Sequence, residues 1–375
     1  MDNFLYIPQD NLEWLAIGTL FFLFLLILFN YFKFYVPAIR FKDSFTEKSI
    51  PISVIICARN EEDNLRENLP LILNQDYKNY EVIVVNDCST DGTESVIDMY
   101  IQQYPDKLKK VNIPESENYK HGKKMAVFIG IKHAKYEHLL FTDADCYPSS
   151  NQWIKIISSH FENGIEIVLG YGKYKEEKSF LNQLIRFDTL TIALQYFSSA
   201  IHKNPYMGVG RNMAYLKSLF FKNKGFSNHY HIDSGDDDLF INETATANNT
   251  AVCIHPDAFT ISEPPYNFKQ WLLQKARHFS TSPLYKPKHK ALLFWIYFTY
   301  GFFYLSVFLF FTLFPQLWLL GIGVLVLKYI VQTLIMYYAS KKFLENKLYP
   351  IAFFLEPILL ISYIYIALYK KIKHL

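Results

Sequence analysis

Long apolar runs stand at both ends of the chain, and shorter ones recur through its middle with polar stretches between them. The first, WLAIGTLFFLFLLILFNYF (Trp14 to Phe32), carries no charge and reaches the roughly 20 residues needed to cross a hydrocarbon layer. It is long for a signal peptide and lacks both a basic leading region and a small-residue cleavage site, so it predicts a retained anchor over 14–36. Three more runs come after Ala291. ALLFWIYFTYGFFYLSVFLFFTLF and QLWLLGIGVLVLKYIVQTLIMYYA flank Pro315 and predict a transmembrane hairpin, and Tyr349 to Tyr369 predicts a further segment interrupted at Glu356-Pro357. Together they define a C-terminal region of about three helices over 291–369. Their length and scarcity of charge argue against buried helices of a soluble protein.

Lysine and arginine set the orientation. Residues 1–13 contain neither, whereas Lys33, Arg40, Lys42 and Lys48 follow the first run and Lys286, Lys288 and Lys290 precede the second. The bias predicts a multi-pass protein of a bacterial inner membrane, with 1–13 outside and the central region, 50–285, in the cytoplasm. A complete fourth crossing would place the tail KKIKHL outside, against the bias, so the sequence leaves that crossing open.

In the central region ISVIICA, YEVIVVND, KKVNIP, HLLFTDAD and IEIVLGY read as strands. EEDNLRENLPLILNQ, DGTESVIDMYIQQY and GKKMAVFIGIKHA read as helices between them. Continuous β-branched runs alternating with helices predict an α/β, Rossmann-like, mostly parallel sheet covered on both faces. Such sheets bind ligands beyond the carboxyl ends of their strands. Polar residues stand at those ends: Arg59-Asn60-Glu61, Asn86-Asp87 and Asp143-Ala144-Asp145. The region divides into a nucleotide-binding half, 50–170, and an acceptor half, 171–285.

Composition changes this picture little. The 375 residues leave room for two domains, and 51% apolar content at near-zero mean hydropathy fits one lipid part and one soluble part. The net charge of +3 is too small to indicate nucleic acid. Cysteines 57, 88, 146 and 253 form no C-x-x-C pair and suggest no disulfide framework, as expected in a reducing cytosol.

The candidate chemistry begins at Asp143 and Asp145. Alternate residues of an extended strand share a face, and two carboxylates held that close repel unless a cation joins them. Mg²⁺ or Mn²⁺, bound through carboxylates and substrate phosphates, suits such a pair. A lone D-x-D is usually a solvated turn; its place at a strand end favours the metal. Asp87 precedes a turn where a carboxylate can accept hydrogen bonds from a nucleobase or ribose, while Ser89 or Asp91 can cap the next helix. Lys123 lies near a helix start, suited to a phosphate, although a solvated lysine fits there as well.

Farther on, SGDDDLFINE places Asp236, Asp237 and Asp238 at a predicted helix start. They read either as an acidic first turn favoured by the helix dipole or as the source of a general base. In FKQWLLQKARHFS, Gln274 and Arg277 are three apart and share a helix face, and a guanidinium matches a departing diphosphate. The same segment reads as an interfacial amphipathic helix with Phe268 and Trp271 toward lipid. YMGVGRNMAY (206–215) reads as a glycine-rich floor beneath an acceptor or as a sharp strand turn, with no chemistry assigned, and His255 reads as a core histidine.

PISVIICARNEEDNL, VIVVNDCSTDGT, HGKKMAVFIGI and FTDADC, in that order, resemble a family 2 glycosyltransferase of the GT-A fold. The resemblance is close over about 50–150 and looser over 200–285. It implies a nucleotide-sugar donor, UDP-linked by analogy, bound by Ala58, Glu61, Asp87, Lys123, Asp143, Ala144, Gln274 and Arg277. It also implies Mg²⁺ or Mn²⁺ on Asp143 and Asp145. The acidic triplet resembles the family's base motif: matching from Gly235 selects Asp237, the favoured choice, and matching back from Leu239 selects Asp236. Arg277 joins them as the catalytic group that stabilises the leaving diphosphate, and transfer would invert the sugar. Gln274 to His278 resembles a Q-x-x-R-W motif with His278 in place of tryptophan, which argues against processive polymer synthesis, and Cys88 stands where many relatives have glycine. The expected acceptor is a lipid or lipid-linked glycan of the cell envelope. The competing readings are a polysaccharide synthase and, in another class, a nucleotidyltransferase, which would need neither the late triplet nor Q-x-x-R.

Overall fold

The computed structural model describes residues 7–46, 48–115 and 121–373, with the side chains of 370–373 left aside. The start of the N-terminal segment and the end of the basic tail lie outside the described residues. In chain order the helices are α1 (Asn11–Phe34), α2 (Val36–Arg40), α3 (Glu62–Leu73), α4 (Thr93–Gln103), α5 (Lys123–His133), α6 (Trp153–Ser159) and α7 (Phe180–Ile201). They continue with α8 (Lys217–Lys222), α9 (Asp238–Thr244), α10 (Phe268–His278), α11 (Pro287–Leu313), α12 (Trp318–Lys342) and α13 (Ala352–Lys373). The strands are β1 (Ile52–Ala58), β2 (Tyr80–Asp87), β3 (Leu108–Ile113), β4 (His138–Asp143), β5 (Cys146–Pro148), β6 (Ile167–Leu169), β7 (Gly172–Tyr174), β8 (Met213–Leu216), β9 (Thr250–Val252) and β10 (Thr260–Ser262).

The chain forms two compact units: 41–185 with 199–286, and 1–40 with 186–198 and 287–375. In the first, a seven-stranded sheet runs β3-β2-β1-β4-β8-β6-β9. The predicted strands β1 to β4 are all present and mutually parallel, with Val54 level with Val82 on one side and Leu140 on the other. β1, β2 and β4 are buried almost throughout, mainly by β-branched and other apolar residues, as in a sheet covered on both sides, while β3 at the edge exposes Lys109 and Asn112. Helices α3 and α4 bury Leu65, Leu69 and Ile72, and Val96, Ile97 and Tyr100, at helical spacing against one face. On the other, α5 approaches so closely that a Cβ on Gly130 would lie 2.7 Å from Ile55 Cγ2 and 3.1 Å from Val85 Cγ2.

Beyond β4 the structure departs from simple alternation. β8 runs antiparallel to both β4 and β6. A second, three-stranded sheet orders β5-β10-β7. It receives the chain directly after the D-x-D, so the exit from Asp145, the segment around Tyr174 and Ser262 all meet at one edge. The segment after α2 is fastened to this unit by Asp43. Its Oδ1 lies 2.8 Å from His160 Nε2 and its Oδ2 accepts from Ile254 N at 2.6 Å.

Among the described residues, four helical stretches are long and apolar enough to cross a membrane, and the second unit gathers them: 11–40, 287–313, 315–342 and 349–369. Only 22–28% of their most apolar windows is buried within the protein. The polar residues they carry turn toward one another instead. Lys328 pairs with Glu356, which also bonds Tyr31, Tyr304 and Gln332, so the two charges within these apolar helices answer each other. Glu356-Pro357 does not interrupt the last segment: α13 passes through Pro357. Arg186 of α7 belongs here too, pairing with Glu345 at 2.8 Å where both are buried.

Gly130→Ala should destabilise the sheet unit by about 1–3 kcal/mol through overpacking against Ile55 and Val85, despite alanine's better helix propensity. Urea denaturation measures it.

Candidate active site

Three connections leaving the parallel strands build one half of the site. After β1, Asn60 takes a left-handed φ of 57°. Its backbone N–H donates to Ser89 Oγ and its side chain accepts from Thr90 N at 2.8 Å, while Glu62 accepts from Gly92 N at 3.0 Å. The loops after β1 and β2 are therefore stitched together. Ala58 lies buried at the end of β1, level with Asn86. Glu61 stands at the start of α3, where it accepts from Asn64 Nδ2 at 2.6 Å. Its carboxyl is pushed up by desolvation, opposed by the Asn64 bond, and raised further by the nearby charges of Asp145 and Asp143.

Asp87 is buried at the end of β2, with Oδ1 3.0 Å from His121 Nδ1. Next to it Cys88 adopts φ of 55°, the conformation that favours glycine, and its Sγ lies 3.3 Å from the same ring nitrogen. The turn therefore keeps a glycine-like backbone although it carries a side chain.

Asp143 and Asp145 come together, but not by strand alternation. β4 ends at Asp143, and residues 144 and 145 form a tight turn into β5. The turn is secured by Asn68 Nδ2 on the carbonyl of buried Ala144 at 3.1 Å and by Ser262 Oγ on Asp145 Oδ2 at 3.1 Å. One ligand atom each from Asp143, Asp145 and Cys146 fall within 4.8 Å of one another. Burial and then the Asp143 charge push the Asp145 carboxyl upward. Burial also works against an ionised Asp143, but Lys123, Arg211 and Arg277 outweigh it and hold that carboxyl below the usual range. Burial, followed by the two acids, keeps the Cys146 thiol protonated, its pKa well above the ordinary value. The donors on offer are thus carboxylate oxygens, a set that fits Mg²⁺ or Mn²⁺ better than a thiolate-seeking ion.

Lys123, the first residue of α5, joins the two halves. Its Nζ lies 2.6 Å from Asp143 Oδ1 and 3.5 Å from Asp236 Oδ2. A small cavity under this pair is lined by Cys57, Thr142, Gly210 and Met213. The acidic triplet separates into three roles. Asp236 is buried and faces Lys123. Asp238 is also buried and accepts from Tyr285 at 2.6 Å and Thr281 at 2.5 Å, so it anchors the chain leading from α10. Asp237 accepts from Gly210 N at 2.8 Å and from Asp238 N at 2.7 Å. Desolvation first, then Asp236 and Asp238, push its carboxyl up to about 7 against the pull of Lys123. Gly235, at φ 97°, permits the turn: a Cβ there would strike Leu239 at 2.4 Å.

On α10, Gln274 exchanges a hydrogen bond with Tyr174 Oη at 3.1–3.3 Å, and Arg277 is exposed. His278 is exposed beside it. Trp271, expected toward lipid, is fully buried, whereas Phe268 is exposed. His255 is a half-buried loop residue whose Nδ1 accepts from Asp257 N.

The expected residues of both halves thus meet in one unit. Sequence reasoning missed Asn68, Ser262, Tyr174 and His121, and left Arg211 without chemistry. The one available signal was a charged residue inside the glycine-rich GVGRN turn.

Residues 53–222 match the family described as Glycosyl transferase family 2. Over 157 residues the chain is 31% identical to an uncharacterized glycosyltransferase of Haemophilus influenzae, covering 42% of this chain and 44% of that one. It is 32% identical over 134 residues to the Escherichia coli UDP-Glc:alpha-D-GlcNAc-diphosphoundecaprenol beta-1,3-glucosyltransferase WfaP, covering 35% and 48% respectively. A longer match, 26% over 279 residues, joins it to the probable glycosyltransferase YdaM of Bacillus subtilis, covering 69% and 65%. The chain spans less than half the length of the first two relatives. In fold it is similar to a mannosyltransferase from Pyrobaculum calidifontis solved in complex with GDP-Man and Mn²⁺, with TM-score 0.59 and 20% identity over 90% of this chain and 99% of that one.

Asp238→Ala should lower stability by about 1–3 kcal/mol, because the buried Tyr285 hydroxyl loses its acceptor. Asp236→Ala removes one 3.5 Å ion pair and should cost less. Thermal unfolding of the two variants compares them.

Proposed function

With residues 53–222 forming a family 2 glycosyltransferase domain of the GT-A fold, we propose that the protein is a membrane-bound, metal-dependent, inverting glycosyltransferase. It would move a sugar from a nucleotide-sugar, UDP-linked in our reading, to a lipid-linked glycan at the cytoplasmic membrane face. The four apolar stretches support membrane residence, and the diphosphoundecaprenol substrate in the name of the E. coli relative supports the acceptor class.

The observation that carries the reading is the meeting of the D-x-D acids and the acidic triplet across Lys123, whose Nζ lies 2.6 Å from Asp143 Oδ1 and 3.5 Å from Asp236 Oδ2, beside Asp237, whose carboxyl is pushed up to about 7 by burial and its acidic neighbours. Ala58, Glu61 and Asp87 line the nucleotide edge, and Lys123 and Arg277 face the diphosphate. Mg²⁺ or Mn²⁺, held by Asp143 and Asp145, would supply charge neutralisation for the phosphates. Asp237 takes the proton of the acceptor hydroxyl as its oxygen bonds to the anomeric carbon and the bond to the diphosphate breaks on the opposite face. Among the three acids Asp237 accepts only backbone N–H groups, from Gly210 and Asp238, and pairs with no side chain of the described residues, whereas Asp236 faces Lys123 and Asp238 is held by Thr281 and Tyr285. A pKa near neutrality lets it accept a proton in the transition state and release it afterwards.

Asp237→Asn should leave UDP-sugar binding intact and reduce kcat about 10²–10⁴-fold. In the wild type, kcat/KM should rise with pH through about 7 and level off above it, since only the ionised carboxyl accepts a proton. Unchanged turnover in Asp237→Asn with loss in Asp236→Asn would move the base by one residue. Asp143→Asn combined with Asp145→Asn should abolish the Mn²⁺ dependence of UDP binding measured by calorimetry; Mn²⁺-dependent affinity that persists would remove the metal assignment.

A further inference from the structure

We propose that Arg211 is a diphosphate-binding residue of this site, its guanidinium held ready by Tyr174 and by the absence of a side chain at Gly172. The inference rests on the glycosyltransferase reading and adds a residue to it. Arg211 lies between β7 and β8, with its carbonyl fixed by Thr260 Oγ1 at 2.9 Å. Its Cζ sits 4.2 Å from the centroid of the Tyr174 ring. The Tyr174 hydroxyl is tied in turn to Gln274 on α10, so the aromatic plane is set from behind. A Cβ on Gly172 would come within 2.9–3.0 Å of Arg211 Cγ, Cδ and Nε, so the side chain lies directly across that glycine.

This support uses none of the guanidinium's donors. Nε is buried without a hydrogen-bond partner, and the group donates no hydrogen bond to any described residue. Leaving a buried donor unmatched costs about 1–3 kcal/mol, more when it is charged. The nearby carboxylates balance its charge, as the shared electrostatics of Arg211 with Asp145 and Asp143 show, yet neither bonds it. Arg277 and Arg211 both act on the charge of Asp143, and His278 is within electrostatic reach of the two. A stacked, planar, half-buried cation with unspent N–H groups, in electrostatic reach of Asp143 and Asp145, matches the oxygens of a diphosphate. Two substrates of the proposed reaction can present that group: the nucleotide donor and a lipid diphosphate acceptor.

The test uses the full chain in detergent with Mn²⁺, comparing wild type with Arg211→Lys, Arg211→Met and Gly172→Ala. The lysine keeps the charge and loses the planar fork; the Gly172 variant displaces the arginine without altering it. If Arg211 binds the donor, UDP affinity falls on the order of 10- to 100-fold in Arg211→Met and Gly172→Ala, with Arg211→Lys between them and the wild type. UMP affinity should hold in all three. If it binds the acceptor, UDP affinity is unchanged and inhibition by farnesyl diphosphate weakens by a similar factor relative to farnesyl phosphate. Wild-type-like response to both probes in folded Arg211→Lys and Gly172→Ala overturns the assignment while leaving the enzyme reading standing. A wild type that binds neither UDP nor GDP overturns both.

Discussion

One ammonium group sets the terms for the rest of the site. Lys123 reaches Asp143 from the parallel sheet and Asp236 from the acidic triplet, and these acids are 93 residues apart in sequence. Without a cation between them, their partly buried charges would push the two halves apart. With it, desolvation is offset strongly enough for Asp143 to stay ionised while Asp145 and Asp237, farther from the lysine, are pushed upward. Lys123, helped by Arg211 and Arg277, thus sets Asp143 apart in acidity from Asp145 and Asp237, which burial and neighbouring acids push upward. In the proposed reaction the ionised Asp143 would hold the metal and Asp237 would accept the proton.

Much of the first half of this arrangement is legible in the sequence, because parallel strands buried on both faces must be apolar along their whole length. That constraint exposes β1 to β4, and with them the polar residues that interrupt the pattern at the carboxyl ends. The chain beyond β4 is harder to read. β5, β7 and β10 contribute three residues each, too few for periodicity to register, and β8 reverses direction without a hairpin signal. The D-x-D shows the difference well: both aspartates were expected at a strand end, yet a two-residue turn, not strand alternation, aims them together.

Side chains whose value depends on distant partners were the least visible. Nothing in the sequence distinguishes Asp236, Asp237 and Asp238, three identical residues in a row. Their neighbours Lys123, Gly210, Thr281 and Tyr285 do so in the fold. Trp271 was expected at a lipid surface from its place on an amphipathic helix, but it is buried inside the unit, because the face of α10 that packs on protein is also an aromatic one. In the apolar helices the same logic runs in reverse: Lys328 and Glu356 look like flaws in hydrophobic runs until they are seen to answer each other.

The missing side chain at position 172 has an evolutionary corollary. Because even one methyl group there would overlap Arg211, the two positions form a linked pair. Relatives that keep arginine at 211 should keep glycine at 172, and those that acquire a larger residue at 172 should have surrendered the arginine. Such paired loss would mark a branch of the family that neutralises its substrate's phosphates by other means.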